Sequence, residues 1–367
     1  MTATATAAVA YSPEKEFVLE EVTLDDLRPD ELLVKIVAVG ICHTDATLKQ
    51  MLPLPAVLGH ESTGIVEQVG AAVTKVKPGD RVVISYPHCG TCPSCADHHP
   101  NLCDNFAALA MSGARPDGSA TIFLGDKPLT SAFFSQSSFA TRAITLENNV
   151  VKVHLESGED PNKLAALPCG IVTGAGAVLN NLKVQKGQSL IVFGAGAVGL
   201  SGVMAAHSAG AHPIIVVDVV EERLALAREL GASHTINGRS EDVVEQIRAI
   251  VPRGSDFALE TAGHINTFNT GVASVKKGGA MAMVTAPNIG GTFEFNGMAF
   301  LSQTMSLVGI NMGGSVTEEF IPQLIALNKA GKFPYEKLIT FYQFDEINQA
   351  FHDSHIGKAI KPVLVMP

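Results

Sequence analysis

Between Val9 and about Val153 the apolar positions fall in short runs. Glu31–Val39, Ser62–Val69, Asp80–Tyr86 and Phe139–Ile144 are rich in Val and Ile and are bounded by Gly, Pro or Asp. Runs of this length and makeup read as strands, so the first part of the chain is expected to be mostly β. From Gly187 the period changes. Leu190–Phe193 is a strand candidate, helix-compatible sequence follows from Val198, and Ile214–Val217 is a second strand. Glu221–Leu230 sets Leu224, Ala227 and Leu230 on one helical face, with Gly231 as its stop. Further strand candidates at His234–Ile236, Phe257–Glu260, Ala280–Val284 and Leu307–Ile310 alternate with helical segments such as Glu241–Ile250. Strands and helices alternating at this spacing predict an α/β chain with a parallel, doubly wound sheet. After Gly313 come helix-like Thr317–Leu327 and Asp345–Asp353 and a strand at Ile360–Met366. Met1–Ala8, a Thr/Ala tract with neither a basic nor a long apolar stretch, reads as a frayed terminus rather than a secretion signal.

Composition narrows the function classes. A chain of 367 residues suggests two domains, and 46% hydrophobic against 17% charged residues is too apolar for disorder. The net charge of −10, with no basic run, argues against nucleic acid and anionic membrane surfaces, which need clustered Lys and Arg. Residues 187–217 carry no formal charge, and that length admits a membrane span. Gly187, Gly194, Gly196, Gly199, Gly202, Gly210 and Pro213 interrupt the stretch, which suits strand, turn and helix better than one continuous helix.

Within that stretch, Gly194-Ala-Gly196-Ala-Val-Gly199 follows a strand, opens a helix, and has Asp218 at the end of the next strand. Each part has a role in dinucleotide binding. Gly194 makes the tight turn, Gly196 lets the pyrophosphate approach, Gly199 packs helix on strand, and Asp218 meets the adenosine ribose hydroxyls. The helix N-terminus offers free N–H groups to the phosphates. A carboxylate at Asp218 repels a 2′-phosphate, so NAD is expected over NADP.

The six cysteines divide in two. Cys89, Cys92, Cys95 and Cys103 lie close together in sequence, enough thiolates to close a tetrahedral zinc site with no open position. The segment Cys89–Cys103 holds no Lys or Arg, which disfavours a nucleic-acid finger. Clustered thiols in a chain without a secretion signal point to a reducing, cytoplasmic compartment. Cys42, His60 and Cys169 are scattered, and each taken singly reads as a core residue. Together, two thiolates and one imidazole would leave a fourth position open, the arrangement of a catalytic zinc.

With these motifs in order, the chain resembles the zinc-dependent medium-chain alcohol dehydrogenases over nearly its whole length. The resemblance is carried by Gly59-His60-Glu61 with Gly64 and Gly70, the Cys89–Cys103 lobe, Cys169-Gly170 with Thr173-Gly174, and the Gly194–Gly199 turn with Asp218. Gly40-Ile-Cys42-His43-Thr44-Asp45, Gln136-Ser-Ser-Phe139-Ala-Thr141, Glu147-Asn-Asn-Val150-Val-Lys-Val153 and Phe344-Asp-Glu-Ile-Asn-Gln-Ala350 look most like the bacterial aryl-alcohol (benzyl-alcohol) branch.

The resemblance implies a GroES-like catalytic domain at residues 1–170, with the zinc lobe at 89–103. A Rossmann NAD-binding domain follows at 171–311, and 312–367 returns to the catalytic domain. It implies two zinc ions per chain, the catalytic one on Cys42, His60 and Cys169 with Glu61 beside it, and Asp45 orienting the His60 ring. Thr173 and Val198 match positions that place the nicotinamide, Arg223 one near the adenosine ribose, and His43 and Lys361 cationic pyrophosphate contacts. Thr44 matches the hydroxyl that takes the alcohol proton, and Thr47 stands where many relatives place a His that ends the relay. Leu52, Ser85, Tyr86, Leu109, Phe133 and Asn311 match wall positions of the substrate pocket. The expected substrate is a primary aromatic or allylic alcohol, oxidised to the aldehyde. A polyol enzyme would more typically place Glu at Cys169, and a glutathione-linked formaldehyde dehydrogenase would need an anion-binding patch that the sequence does not display. A zinc-free quinone reductase would lack Cys42, Cys169 and the lobe, and a non-enzymatic zinc- or nucleotide-binding module would have no need for an open metal site. The insertion Leu109–Ser138 resembles that of dimeric members, so a homodimer is expected ahead of a tetramer.

Overall fold

The computed structural model describes residues 3–285, 292, 294 and 296–367. The chain forms two compact units, one comprising Met1–Cys169, Val316–Pro322 and Glu336–Pro367, the other Gly170–Ser315 and Gln323–Tyr335. The C-terminal stretch expected to return whole to the first domain is therefore divided. Residues 312–315 and Gln323–Tyr335 stay with the second unit.

The first unit is built on β-sheet. Its larger sheet runs Val150–Lys152, Arg81–Ile84, Ser62–Val69, Glu31–Gly40, Lys361–Val365 and Ile339–Gln343, with Arg142–Leu146 also pairing with Glu31–Gly40. Glu31–Gly40 is the central strand, flanked by partners on both sides, which is why its Leu, Val and Ile residues are buried almost without alternation. The C-terminal strand Lys361–Val365 lies antiparallel to it, so both ends of the chain build this unit. Phe139, from the middle of the sequence, packs edge-on against Phe17 and Phe351 at 6.0 and 5.8 Å between ring centroids.

Three local expectations change. Thr4–Ala10 is a strand, not a frayed end: it pairs with Val18–Leu24, and Ala5, Ala7, Ala8, Val9 and Ala10 are buried. Small side chains carry little hydrophobic signal, yet they let this strand lie close under its neighbours. The strand expected at Phe139–Ile144 begins at Arg142, because the preceding residues pair elsewhere. Phe139 donates to the Leu58 carbonyl at 2.9 Å and Thr141 to the Thr6 carbonyl at 2.9 Å. Asp80–Tyr86 shortens to Arg81–Ile84.

The second unit holds a six-stranded, all-parallel sheet in the order His234–Asn237, Ile214–Asp218, Leu190–Phe193, Ser255–Glu260, Val275–Met283, Ser306–Gly309. The order reverses beside Leu190–Phe193, and the carboxyl ends at such a reversal are where dinucleotides bind in doubly wound sheets. Ile191, Phe193, Ile215, Val217, Ile236, Ile247 and Phe268 form one buried cluster on this sheet. The charge-free stretch resolves into strand Leu190–Phe193, the glycine turn, helix Ala197–Ser208 and strand Ile214–Asp218. Among the described residues, the helix long and apolar enough to cross a membrane is instead Pro161–Asn181, and 72% of its most apolar window is buried within the protein.

Candidate metal centre and cofactor turn

Strand Glu31–Gly40 delivers the chain to Cys42, the N-cap of the short helix His43–Lys49. Asp45, at the third helical position, reaches back to accept the Cys42 N–H at 2.9 Å, as capping-box acids do. Its other oxygen accepts the Gly59 N–H at 3.1 Å and faces His60 Nδ1 at 2.9 Å. One fully buried carboxylate thus ties together two segments distant in sequence and sets the imidazole with Nε2 pointing away. Cys169 comes from a third segment, the π-helical turn Leu167–Ile171. Pro168 has no N–H to give a regular helical ladder, and its carbonyl is held by Ser85 Oγ at 2.7 Å. Single π turns of this kind recur at functional sites.

These segments bring Cys42, His60, Glu61 and Cys169 together, with one ligand atom from each lying within 4.8 Å of the others. The two Sγ atoms, 127 residues apart along the chain, are 4.0 Å apart. Glu61 can enter because residue 40 is glycine: a Cβ there would stand 2.4 Å from Glu61 Oε2. His60 Nε2 and Glu61 Oε1 are buried without a hydrogen-bond partner. Buried polar atoms left in that condition ask for a ligand. Two sulfurs, one imidazole nitrogen and a nearby carboxylate are the donor chemistry of zinc, so the residues present fit a zinc ion.

The electrostatics agree. The contact between the two sulfurs holds the Cys42 thiol well below its ordinary range and pushes Cys169 well above it. Burial works to lower the His60 pKa, but the Asp45 carboxylate and Cys42 together outweigh it and raise the ring to about 9. Thr44 Oγ1 lies 3.6 Å from Cys42 Sγ and is half-buried.

Lys361, expected as a cationic pyrophosphate contact, is 2% exposed, paired with Glu61 Oε2 and hydrogen-bonded to the Ile41 carbonyl at 3.3 Å. The register of its strand against Glu31–Gly40 points it inward, and burial lowers its pKa to about 8. His43, by contrast, is exposed.

Cys89, Cys92, Cys95 and Cys103 form the second cluster, again with ligand atoms within 4.8 Å of one another. Backbone N–H groups point at the sulfurs: Cys92 donates to Cys89 Sγ and Cys89 to Cys103 Sγ, both at 3.3 Å. Burial pushes the Cys89 thiol up, but the amides of Thr91 and Cys92 and the Asn105 side chain outweigh it and bring it to about 5. Beside the lobe is a pocket of about 390 Å³ lined by Arg28, His88, Arg115 and Asp117, whose Arg28–Asp117 and Arg115–Glu31 ion pairs are already made.

In the second unit, Gly194 has φ +93°, and a Cβ on Gly199 would stand 1.8 Å from the Gly194 carbonyl oxygen. Both positions therefore require glycine. Gly196 caps helix Ala197–Ser208 and faces open space, with no atom within 4 Å of where its Cβ would be. That is room for a phosphate beside free helix N–H groups. Asp218 ends its strand and does more than the motif implies. Its carboxylate accepts the Ala195 N–H at 2.6 Å and the Val220 N–H at 2.9 Å, bracing the turn. Thr173, Val198 and Arg223 are half-buried in the same unit.

Of the expected wall residues, Ser85, Tyr86, Leu109 and Phe133 are buried, Leu52 is half-buried and Asn311 is exposed. Phe133 stands edge-on to the His60 ring at 5.4 Å, whereas Leu109 lines the pocket beside Cys89. Two neighbours of His60 carried no signal in the sequence reading. Phe134 stacks on its ring at 4.6 Å, and Gln136 donates to its backbone carbonyl at 3.0 Å. Gln136 does stand in a motif read as a branch signature, but its partners emerge only in the fold.

A soft-ligand metal site in a β-rich unit, carried by the same chain as a doubly wound sheet with a dinucleotide turn, defines a metal-dependent oxidoreductase. Comparison with known proteins makes this specific. Residues 28–154 match the alcohol dehydrogenase GroES-like domain, and residues 197–329 match the zinc-binding dehydrogenase domain. A geraniol dehydrogenase of Castellaniella defragrans is 41% identical over 98% of this chain and 97% of its own. Among solved structures, an alcohol dehydrogenase zinc-binding domain protein from Burkholderia ambifaria is 45% identical with a TM-score of 0.97, and the benzyl alcohol dehydrogenase of Acinetobacter calcoaceticus is 42% identical with a TM-score of 0.95. Both cover the two chains completely. The chain belongs to the zinc-dependent medium-chain alcohol dehydrogenase family.

Proposed function

We propose that this protein reversibly oxidises primary aromatic or allylic alcohols to aldehydes, with NAD as hydride acceptor. In this reading a catalytic zinc is held by Cys42, His60 and Cys169, and a structural zinc by Cys89, Cys92, Cys95 and Cys103. The observation that carries it is the buried, unpartnered His60 Nε2 set among two thiols by Asp45.

Zinc supplies Lewis acidity that eases ionisation of a hydroxyl, and the nicotinamide supplies the hydride acceptor. The chain's own residues do the rest. Asp45 locks the His60 tautomer, and Lys361 neutralises Glu61, so the buried carboxylates do not add uncompensated charge. Thr44 Oγ1, beside Cys42, accepts the proton of the alcohol and passes on its own. The carbinol carbon loses hydride and the oxygen loses a proton, so one aldehyde, one reduced nicotinamide and one proton result. Thr47 Oγ1 donates to the His43 carbonyl at 3.1 Å and cannot serve as a base near neutral pH, so the relay ends on water or buffer.

The substrate class is supported by two relatives. Geraniol and benzyl alcohol both carry unsaturation next to the carbinol carbon, which stabilises the positive character that develops there as hydride leaves. A homodimer acting in the cytoplasm is part of the same proposal.

An alcohol panel with NAD and NADP tests it. Benzyl alcohol and geraniol with NAD should exceed ethanol and sorbitol in kcat/KM by about 100-fold or more, given the apolar groups a fitted pocket buries. Equal efficiency with ethanol or sorbitol would sink the aromatic and allylic assignment. Metal analysis should give two zincs per chain, with activity lost when a chelator removes the first.

A further inference from the structure

The turn that follows Ser131 is unusually strained. Ala132, Phe134, Ser135 and Ser137, none of them glycine, have φ of 59°, 50°, 51° and 50°. Left-handed backbone at four non-glycine residues within six positions persists only where the surroundings over-determine it, and such strain gathers at functional sites.

The surroundings here all lead to His60. Ser138 donates to the Gly59 carbonyl at 3.0 Å, Phe139 donates to the Leu58 carbonyl at 2.9 Å, and Ser137 Oγ donates to the Val57 carbonyl at 2.6 Å. Ser137 and the two residues after it thus stitch the turn to each of the three residues before His60. Phe134 stacks on the imidazole with an interplanar angle of 29°, and Phe133 meets it edge-on. Gln136 is fully buried and its amide is saturated: Nε2 donates to the carbonyls of His60 at 3.0 Å and Ser85 at 3.1 Å, while Oε1 accepts from Ser62 Oγ at 3.0 Å and Ser138 Oγ at 2.9 Å. With four partners the amide has one orientation. Ser85 is the residue that holds the Pro168 carbonyl next to Cys169, so the Gln136 amide bridges the backbones behind two of the three candidate ligand segments.

We propose that the turn Ala132–Ser137 is a clamp on the metal-binding imidazole and that Gln136 is its positioning residue. Asp45 sets His60 from the Nδ1 side. Gln136 fixes the backbone from which the side chain springs, and Phe134 fixes the ring plane. The strain is retained because relaxing the turn would release all three stitches and the stack together. This inference rests on the reading of Cys42, His60 and Cys169 as a metal site.

The test measures metal release, not turnover alone. Purified holoprotein is mixed with a chromogenic chelator, and zinc loss from the catalytic and four-cysteine sites is followed as two phases, with cobalt(II) substitution reporting the catalytic ligand field. Gln136→Met and Gln136→Glu, which remove the donors to His60 and Ser85, should speed the fast phase at least tenfold and shift the cobalt bands, leaving the slow phase unchanged. Ser62→Ala removes a partner on the acceptor side and should lower Tm without moving the fast phase more than twofold. Phe134→Leu supplies the second arm if the Gln136 variants do not fold, with an expected fast phase several-fold quicker. A folded Gln136→Met or Phe134→Leu protein that releases both metals at the wild-type rate, or equal acceleration of both phases, overturns the clamp. A wild-type protein that holds zinc only in the lobe overturns the underlying site reading instead.

Discussion

Asp45 shows how much one residue can set. Its two oxygens reach the N-cap of one helix, the amide of Gly59 and the ring of His60, and it is fully buried. The local sequence offers Asp45 only as an acid in a first helical turn, and its function comes from where the Gly59-His60 segment is folded. Thr44 is simpler, since its place two residues after Cys42 already puts a hydroxyl beside a candidate ligand. Thr44→Ala should lower kcat about 100-fold or more, the usual scale of a lost proton-transfer group, while Thr44→Ser stays close to wild type; single-turnover hydride transfer checks both. Asp218 braces the turn through Ala195 and Val220, and in the proposed function its charge would also select the cofactor. Asp218→Asn, which keeps an acceptor for one amide, should raise the NADP-to-NAD ratio of kcat/KM by about tenfold or more by relieving like-charge repulsion. An unchanged ratio removes Asp218 from cofactor choice.

At the scale of elements, the glycine turn separates two demands that its sequence motif merges. Gly199→Ala forces a Cβ against the Gly194 carbonyl and should lower Tm as well as cofactor affinity. Gly196→Ala meets no atom within 4 Å in the protein itself, so its Tm should hold while the NAD Kd, measured by titration calorimetry, rises. The C-terminal helix Ile347–His355 is fastened by Asp353, which accepts from Tyr342 Oη, Lys358 Nζ and Gln349 Nε2, each at 2.8 Å. Lys358 foremost, then Tyr342, hold the Asp353 carboxyl down to about 2. A depressed carboxylate stabilises above its unfolded pKa of roughly 3.9, and that contribution is lost as pH falls through the folded value. The Tm deficit of Asp353→Asn should therefore be full above about pH 4 and shrink toward pH 2; a constant deficit would show that charge is not involved. Most strands of the second unit were legible in sequence to within a residue or two, but the one expected at Ala280–Val284 begins at Val275, and helix Ile265–Ser274 was not singled out. Parallel strands buried on both faces, such as Leu190–Phe193 and Ile214–Asp218, are continuous apolar runs. Thr4–Ala10 was not legible, because alanine carries too little hydrophobic contrast to announce a buried strand.

The whole molecule depends on contacts between residues far apart in the chain. Phe17, Phe139 and Phe351 meet in the first unit, and Asn348 ties the Phe17 backbone at 2.8 and 3.0 Å. Phe139→Ala, at a fully buried site, should cost about 3–5 kcal/mol, read as a lowered Tm, because three distant segments lose one shared anchor. What could be known from the chain alone rests on short-range pattern: the doubly wound sheet from its alternating runs, the dinucleotide turn from glycine spacing, the four-thiol lobe from four cysteines close in sequence. Those features are local, so their geometry follows from spacing. The convergence of Cys42, His60, Glu61 and Cys169 belongs to the fold, as does the burial of Lys361 against Glu61 and of Gln136 behind His60. Each depends on strand register and on exclusion from water, and neither quantity is written in any short stretch of sequence.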